Sequence, residues 1–265
     1  MIKKFVGTFA LAALMTTGAF AQEKTVRMGT EGYYPPFNFF DSAKNVKGFD
    51  VDIGNELCAH MKVKCEWVTT AWDGIIPALN ASKFDTIIAS MAITAKRQKA
   101  ISFSNPYYFN SGRLVVSKEA GIKGAMPKDL KGKIIGTQSG TTEVGLLKKH
   151  FPNSKVKLYP KLDDALLDLE NGRLDAVLAS QFVIGAWLKK KEGACCEFKG
   201  EAFVPDDMIG TGIGVRKDDV KLQKALNKAL AEMVADGSYD AIRKKYFPFD
   251  IMTKPKTASE LFGSK

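Results

Sequence analysis

The chain has 265 residues, of which 45% are hydrophobic and 26% are charged, a balance typical of one large or two modest globular domains. Its 39 basic and 29 acidic residues give a formal net charge of +10. Because the lysines are spread along the chain and no basic run is interleaved with aromatic residues, the composition disfavours a nucleic-acid-binding protein and indicates a solvated basic surface.

The first 21 residues have the pattern of a secretory signal peptide. Lys3 and Lys4 precede an apolar run from Phe5 to Met15, and Ala19-Phe20-Ala21 supplies a small-x-small cleavage site. The apolar run is shorter than the roughly 20 residues that a membrane-spanning helix needs. We therefore expect cleavage after Ala21 and an exported, soluble mature protein.

Strand and helix patterns alternate in the first part of the mature chain. The hydrophobic periodicity predicts strands at 25–30, 63–68 and 83–90 and helices at 51–61 and 75–81. Pro35 and Pro36 exclude a helix from the aromatic loop between the first strand and the first helix. Alternation at this spacing is typical of βαβ units and a parallel sheet.

The alternation resumes after a loop at 105–108. Strands are predicted at 113–117, 134–137, 156–159, 173–179 and 212–215, and helices at 138–150, 162–169, 182–190, 222–235 and 239–245. No flexible linker separates the two parts. Residues 254–265 are predicted to form a frayed C-terminal tail.

One segment recurs 90 positions later in the chain. Leu79–Ser90 and Leu169–Ser180 each read as a helix end, a turn, a strand and a terminal Ala-Ser. The recurrence predicts two similar lobes, each of which offers a strand-end serine to a shared cleft.

Two stretches suit an anionic ligand group. Ala89–Arg97 follows a strand and places a guanidinium beside N–H and hydroxyl groups, which suits a carboxylate. Gln138–Glu143 places glycine and hydroxyl residues at a helix start, where N–H groups and the helix dipole favour an anion. Taken alone, each stretch equally fits a structural role, as a surface turn or as an N-cap.

The four cysteines form two pairs in the sequence. Cys58 and Cys65 bracket a helix end and a strand start, where a disulfide can close a short loop in an exported protein. Cys195 and Cys196 are adjacent, so a vicinal bridge, free thiols and an intermolecular bridge all stay open.

Further motifs occur in a fixed order along the chain. They are Gly48-Phe49-Asp50-Val51-Asp52, Ile75-Ile76-Pro77-Ala78-Leu79, Ile93-Thr94 with Lys96-Arg97, Lys131-Gly132-Lys133, Ser139-Gly140-Thr141-Thr142, Asn171-Gly172-Arg173-Leu174-Asp175 and Lys245-Tyr246-Phe247. With these motifs the chain resembles, over residues 24 to 252, the periplasmic solute-binding proteins for polar and basic amino acids, which serve bacterial ABC importers.

The resemblance implies an α/β fold of the periplasmic-binding-protein type II, with two α/β lobes joined by two hinge strands. Residues 22–111 and 207–265 would form lobe 1, and residues 112–206 would form lobe 2. The implied protein is a monomer in the periplasm that closes on its ligand like a clamshell and then meets an ABC permease. Cys58 and Cys65 fall where members for basic amino acids carry a disulfide.

The resemblance also implies a set of ligand-binding residues, namely Glu31, Tyr34, Trp72, Ser90, Met91, Ala92, Arg97, Gln138, Thr141, Thr142 and Ser180. Arg97 would clamp the α-carboxylate of an amino acid, assisted by N–H groups of the helix that starts near Thr141. Tyr34 and Trp72 would sandwich the ligand side chain, with cation–π attraction for a basic one. Glu31 would hold the distal cation.

Two departures from the family pattern leave the ligand open. Members that bind free amino acids usually carry Asp at the position of Ser180, and many carry Ser or Thr at the position of Ala92, where these groups hold the α-ammonium. Opine-binding relatives, whose ligands have a substituted α-nitrogen, show the same kind of loss. The ligand is therefore expected to be an arginine-, ornithine- or lysine-like amino acid, or an opine-type derivative.

Two other functional classes stay open. The family has cyclohexadienyl or arogenate dehydratase relatives, whose chemistry needs a general acid, and Glu143 and Glu31 are the candidates for that role. A surface antigen or adhesin that kept the fold is a third class. His60 and His150 are the only histidines, and the chain has no CxxC spacing, Ser-His-Asp set or P-loop. We therefore expect no catalytic residue, cofactor or metal.

Overall fold

The computed structural model describes residues 24–263, so the predicted signal peptide lies outside the described residues. The strands are β1 (Thr25–Thr30), β2 (Tyr33–Tyr34), β3 (Asn38–Phe40), β4 (Val46–Lys47), β5 (Lys64–Thr69), β6 (Thr86–Ile87), β7 (Ala92–Ile93), β8 (Ser102–Phe103), β9 (Gly112–Ser117), β10 (Ile134–Gln138), β11 (Lys155–Tyr159), β12 (Ala176–Ser180), β13 (Cys196–Phe203), β14 (Gly210–Thr211) and β15 (Gly214–Val215). The helices are α1 (Phe49–Met61), α2 (Ile75–Asn80), α3 (Ala95–Gln98), α4 (Thr142–His150), α5 (Leu162–Glu170), α6 (Gln181–Leu188), α7 (Val220–Asp236), α8 (Ser238–Tyr246) and α9 (Ala258–Phe262). Within this part of the chain, no helix combines the length and the apolar character that crossing a bilayer requires.

Two five-stranded sheets share one topology. The first has the order β5-β1-β6-β15-β8, and the second has the order β11-β10-β12-β9-β13. In each sheet the first three strands are parallel, as predicted, whereas the last two are antiparallel to their neighbours. The parallel sheet predicted from the strands at 25–30, 63–68 and 83–90 is therefore confirmed. No direction was predicted for β9 and β15, and they are antiparallel because each enters its sheet directly after the chain has crossed from the other lobe.

The recurring segment occupies the same place in both sheets. Asp85 precedes β6 and accepts a hydrogen bond from the backbone N–H of Arg27 at 3.0 Å, and it also pairs with the guanidinium of that residue. Asp175 precedes β12 and accepts from the backbone N–H of Ile134 at 2.8 Å and from Lys133 Nζ at 3.2 Å. In each lobe this aspartate ties the central strand to its parallel neighbour, which confirms the prediction of two similar lobes.

The connections between the lobes run side by side. Tyr108 and Thr211 form an antiparallel bridge, in which Thr211 N donates to Tyr108 O at 2.8 Å. Tyr107 N donates to Thr211 O at 2.9 Å. These two segments are the hinge strands of the predicted fold, and the exact lobe boundaries at 111/112 and 206/207 stay a prediction.

Two disulfides are present in the described residues. Cys58 in α1 is bonded to Cys65 in β5, which confirms the predicted pairing. Cys195 and Cys196 are bonded to each other at the start of β13, so the structure selects the vicinal bridge from the open alternatives.

The prediction of a frayed C-terminal tail is wrong for α9. Thr257 and Glu260 form a capping box at its start, and the Phe262 ring lies 5.0 Å from the ring of Phe203 in the second sheet. Helix α9 therefore packs beside the second sheet, although residues 207–265 are predicted to belong to lobe 1.

Other differences concern short strands. The aromatic loop contains a small sheet of β2, β3 and β4, and β13 was not predicted. The strand predicted at 83–90 shrinks to β6, because the chain turns away from the sheet and Ser90 adopts a left-handed φ of 54°.

Candidate ligand-binding site

A cavity lies between the two lobes, where β1, β6 and β10 end. It contains about 440 Å³ of space not occupied by protein atoms, part of which is open to solvent. Its lining residues are Glu31, Tyr34, Trp72, Ala89, Ser90, Ala92, Arg97, Asn110, Gln138, Thr141, Thr142 and Glu143. Every residue predicted to bind ligand is in this lining except Met91 and Ser180.

Arg97 is held at the cavity by local structure. Thr94 caps the short helix α3 by accepting a hydrogen bond from Arg97 N at 3.3 Å. The guanidinium donates to Ala92 O at 3.0 Å and to Gly140 O, in the other lobe, at 3.3 Å, and it lies 5.3 Å from the ring centre of Trp72. It carries five N–H donors, more than these two bonds use, so it can also bind a carboxylate in a forked arrangement.

The start of α4 faces Arg97 from the second lobe. Thr141 is the residue before the helix, and its hydroxyl donates to Gln138 O at 2.8 Å rather than capping an N–H. The hydroxyl of Thr142 donates to Glu143 Oε2 at 3.0 Å. The first backbone N–H groups of α4 have no acceptor within the helix, and the helix dipole is positive at this end. Both features favour an anion at this side of the cavity.

Glu31 is a buried carboxylate, 6% exposed, that directly follows β1. It accepts a hydrogen bond at 2.7 Å from Nε2 of Gln138 at the end of β10, and the same nitrogen donates to Pro160 O at 3.1 Å. Burial raises the pKa of Glu31 to about 7, although the bond from Gln138 opposes the shift. A cation in the cavity would favour the ionised form.

Two aromatic side chains complete the walls. Tyr34 stacks on Phe37 at 5.8 Å, and its hydroxyl is 3.5 Å from Nδ2 of Asn110. Trp72 opens the 3-10 turn Trp72–Gly74 and lies beneath the guanidinium of Arg97. Both rings line the cavity, so it offers aromatic surface as well as charge.

The sequence comparison agrees with this geometry. The sequence model of the bacterial extracellular solute-binding proteins, family 3, matches residues 26–249. This chain belongs to that family. The predicted family is therefore confirmed.

The relatives of this solute-binding protein match over almost their whole length. It is 38% identical over 258 residues to the lysine/arginine/ornithine-binding periplasmic protein of Escherichia coli K12. This match covers 94% of this chain and 99% of the relative. It is 39% identical over 252 residues to the L-arginine-binding protein of Pseudomonas aeruginosa, covering 93% and 96%. A solved structure of an ancestral arginine-binding protein bound to arginine has a TM-score of 0.79 at 38% identity and covers 85% of this chain and 99% of that chain. The predicted type II fold is confirmed.

Ser90 and Ala92 line the cavity of this solute-binding protein, whereas Met91 does not. The Ser90 hydroxyl donates to Asp50 Oδ2 at 2.9 Å, and the carbonyl of Ala92 accepts from Arg97. Met91 is buried beside Trp72 in the wall of a smaller adjoining pocket. Met91 therefore supports the site from behind.

Ser180 is the other predicted residue outside the lining. It is 1% exposed, and its hydroxyl donates to Asn110 Oδ1 at 2.6 Å and accepts from Phe182 N at 3.3 Å. The hydroxyl therefore orients Asn110 and caps α6 rather than pointing into the cavity.

Three lining residues were not among the predicted ligand-binding residues. Ala89 stands in the Ala-Ser that ends the recurring segment, and Glu143 directly follows the Ser-Gly-Thr-Thr motif, so both had a sequence signal. Asn110 lies in a hinge strand and reaches the cavity through bonds to Tyr34 and Ser180, residues 76 and 70 positions away. No local pattern marks it.

Proposed function

We propose that this solute-binding protein binds a basic amino acid of the arginine, lysine or ornithine type, or a derivative of one, and delivers it to an ABC importer. The observation that carries the proposal is the presence of a guanidinium, Arg97, and a buried carboxylate, Glu31, in one cavity. A basic amino acid has the complementary charges, a carboxylate at one end and a cation at the other. The ligands named for the relatives belong to the same class.

The lining residues divide the recognition of such a ligand. Arg97 and the start of α4 hold the α-carboxylate. Tyr34 and Trp72 flank the side chain, where a cation gains attraction from the ring faces. Glu31 receives the distal cation, and the bond from Gln138 fixes the orientation of this carboxylate.

Ligand binding is coupled to closure of the lobes. Glu31, Tyr34, Trp72 and Arg97 stand on one lobe, whereas Gln138, Thr141 and Thr142 stand on the other. A ligand touches both sets only when the lobes are closed, so it shifts the population towards the closed form. The closed form then presents one fixed surface to the permease.

We place the mature protein in the periplasm as a monomer. The leader pattern in the sequence and the periplasmic relatives support this location. A cleaved N-terminus at Gln22 in the periplasmic fraction would agree with it.

A thermal-shift screen of refolded, ligand-stripped mature protein tests the proposed function. A ligand at 100 times its Kd is expected to raise the unfolding midpoint by about 5–10 °C. Arginine, lysine and ornithine should produce this rise in the wild type but not in Arg97→Gln. The control Arg173→Gln, which removes an arginine that is 54% exposed, should respond as the wild type does. No shift with any basic amino acid or derivative would overturn the proposal.

A dehydratase on the same fold is the contrasting hypothesis. Its general acid would be Glu143 or Glu31, which line the cavity. The named relatives are binding proteins, and we propose the same for this chain. Turnover of prephenate or arogenate that is lost in Glu143→Gln would favour the enzyme, whereas no turnover together with arginine binding supports the transport role.

A further inference from the structure

The cavity contains a second carboxyl group, that of Glu143, which has no role in the proposed binding of the ligand by Arg97 and Glu31. Among the described lining residues, Arg97 has a guanidinium, and Glu31 and Glu143 have carboxyl groups. With both carboxyl groups ionised, the lining carries one positive and two negative charges. A basic amino acid carries the opposite set, one carboxylate and two cationic groups, so each charge finds a partner only if the α-ammonium pairs with Glu143.

Glu143 lies at the carboxylate end of the cavity. Burial lowers the pKa of Arg97, and the negative charge of Glu143 is the strongest of the neighbouring charges that oppose this shift, ahead of Asp207. Asp207 is not in the cavity lining, and its carboxylate accepts from Ala95 N at 3.2 Å. In an amino acid the ammonium is attached to the carbon next to the carboxylate, so the ammonium of a ligand held by Arg97 lies at the same end of the cavity as Glu143.

The surroundings of Glu143 keep its carboxylate at this corner. Oε2 accepts from the Thr142 hydroxyl at 3.0 Å. Oε1 lies close to Gly112, since a Cβ atom placed on this glycine would be 3.6 Å from it. Gly112 pairs with Ser180 across β9 and β12, so Glu143 lies near the strand position of Ser180. The Ser180 hydroxyl itself donates to Asn110.

We propose that Glu143 binds the α-ammonium of the ligand and thereby selects amino acids with an unsubstituted α-nitrogen. This inference rests on the proposed function, since it names the class of ligand taken by the same site. An opine carries an additional carboxylate on the substituent of its α-nitrogen. That carboxylate would face Glu143, and two like charges in a buried site repel each other. The free basic amino acid is therefore the preferred ligand.

Two ligands distinguish binding of the α-ammonium by Glu143 from stabilisation of helix α4 by the same residue. Glu143 also stands in the first turn of α4, where an acid stabilises the helix whatever the ligand is. Arginine and 5-guanidinopentanoate differ only in the α-ammonium. Glu143→Gln is expected to weaken arginine binding about 10- to 100-fold, the usual loss for a hydrogen bond to a charged group, and to change binding of 5-guanidinopentanoate less than about threefold.

Titration calorimetry measures both ligands on both proteins, together with an N-carboxyalkyl derivative of arginine. Glu170→Gln, which makes the same charge change at an exposed position of the second lobe, should bind like the wild type. An equal loss for arginine and 5-guanidinopentanoate, or tighter wild-type binding of the N-carboxyalkyl derivative than of arginine, would overturn the inference while leaving the proposed function standing. No binding of any of these ligands to the wild type would overturn both.

Discussion

Glu31 connects ligand binding to pH. Burial raises the pKa of this carboxyl to about 7, so it carries a proton over much of the range below neutrality. In the proposed function, the distal cation of the ligand binds the ionised carboxylate, so this proton must leave when the ligand binds. Affinity for arginine, whose guanidinium stays charged, should therefore be full above pH 8 and fall by up to tenfold per unit as the pH drops below about 7. Calorimetry between pH 5.5 and 8.5 measures the change.

Glu31→Gln is the control for this prediction. An amide cannot lose a proton, so the variant should bind arginine weakly and with little dependence on pH. Closure of the lobes in the absence of ligand should depend on pH in the opposite direction. Since burial favours the protonated carboxyl, the unliganded closed form should become more populated as the pH falls towards 5. A wild-type affinity that is constant from pH 5.5 to 8.5 would contradict the role of Glu31.

The sequence was sufficient to predict most residues that line the cavity, but not the hydrogen-bond partners of their side chains. Arg97 and Glu31 follow strand ends, which meet at one edge of a sheet in this architecture, and the cavity is found there. The direction of the Ser180 hydroxyl could not be predicted, because it depends on Asn110, 70 positions away, in a hinge strand. Side-chain partners across the hinge follow from how the lobes meet, and no local pattern records that.

At the scale of single elements, Asp50 fixes the start of α1 to the site. This carboxylate is fully buried and accepts hydrogen bonds from Asn38 Nδ2 at 2.9 Å, Ser90 Oγ at 2.9 Å and the Tyr107 hydroxyl at 2.6 Å. Burial raises the pKa of Asp50, and these bonds oppose the rise. Together they join α1, β3, the turn at Ser90 and the hinge segment at Tyr107.

Asp50→Asn should therefore destabilise the protein and loosen the site together. The amide nitrogen cannot accept, so at least one buried donor loses its acceptor, at a cost of about 2–3 kcal/mol in the free energy of unfolding. Tyr107→Phe removes a single donor and should cost less. Urea unfolding measures both variants. Equal stability of Asp50→Asn and the wild type would show that these bonds do not hold the elements together.

Helix α9 shows where sequence patterns alone were insufficient. Its capping box, Thr257 with Glu260, is visible in the sequence, but a five-residue helix is unstable without tertiary contacts. Those contacts come from the second lobe, where Ala258 is buried and Phe262 packs on Phe151 and Phe203. The two similar lobes were predictable, in contrast, because the recurring segment is visible in the sequence itself.

Phe262→Ala should release α9 without affecting the ligand site. The ring is half-buried, so its loss should cost about 2 kcal/mol of unfolding free energy and expose residues 254–263 to proteases. The matched control is Phe249→Ala, because Phe249 is 51% exposed and its loss should cost little. Limited proteolysis followed by mass spectrometry locates the cut. Protection of the C-terminus equal to that of the wild type would contradict the role of Phe262.

At the scale of the whole molecule, the lobes touch outside the cavity as well as inside it. The Ser139 hydroxyl donates to Asp73 Oδ2 at 2.7 Å, and Lys161 Nζ lies 3.9 Å from the ring centre of Tyr33. Neither contact involves the lining of the cavity, so both stabilise the closed form directly. Affinity therefore depends on lobe contacts that never touch the ligand, since binding is weakened in proportion to the fraction of closed protein.

Ser139→Ala tests this coupling. The variant removes one hydrogen bond between the lobes, worth about 0.5–1.5 kcal/mol, and leaves the cavity lining intact. If the free protein is mainly open, this loss passes entirely into the closing equilibrium, and Kd for the preferred ligand should rise about two- to tenfold. The rise should come from faster dissociation, because the contact exists only after closure.

Ser154→Ala is the control. It removes a hydrogen bond within the second lobe, from the Ser154 hydroxyl to Leu130 O at 2.9 Å, and should lower stability without changing Kd. Stopped-flow kinetics measure both rates, and equal dissociation rates for Ser139→Ala and the wild type would mean that the ligand alone holds the lobes together.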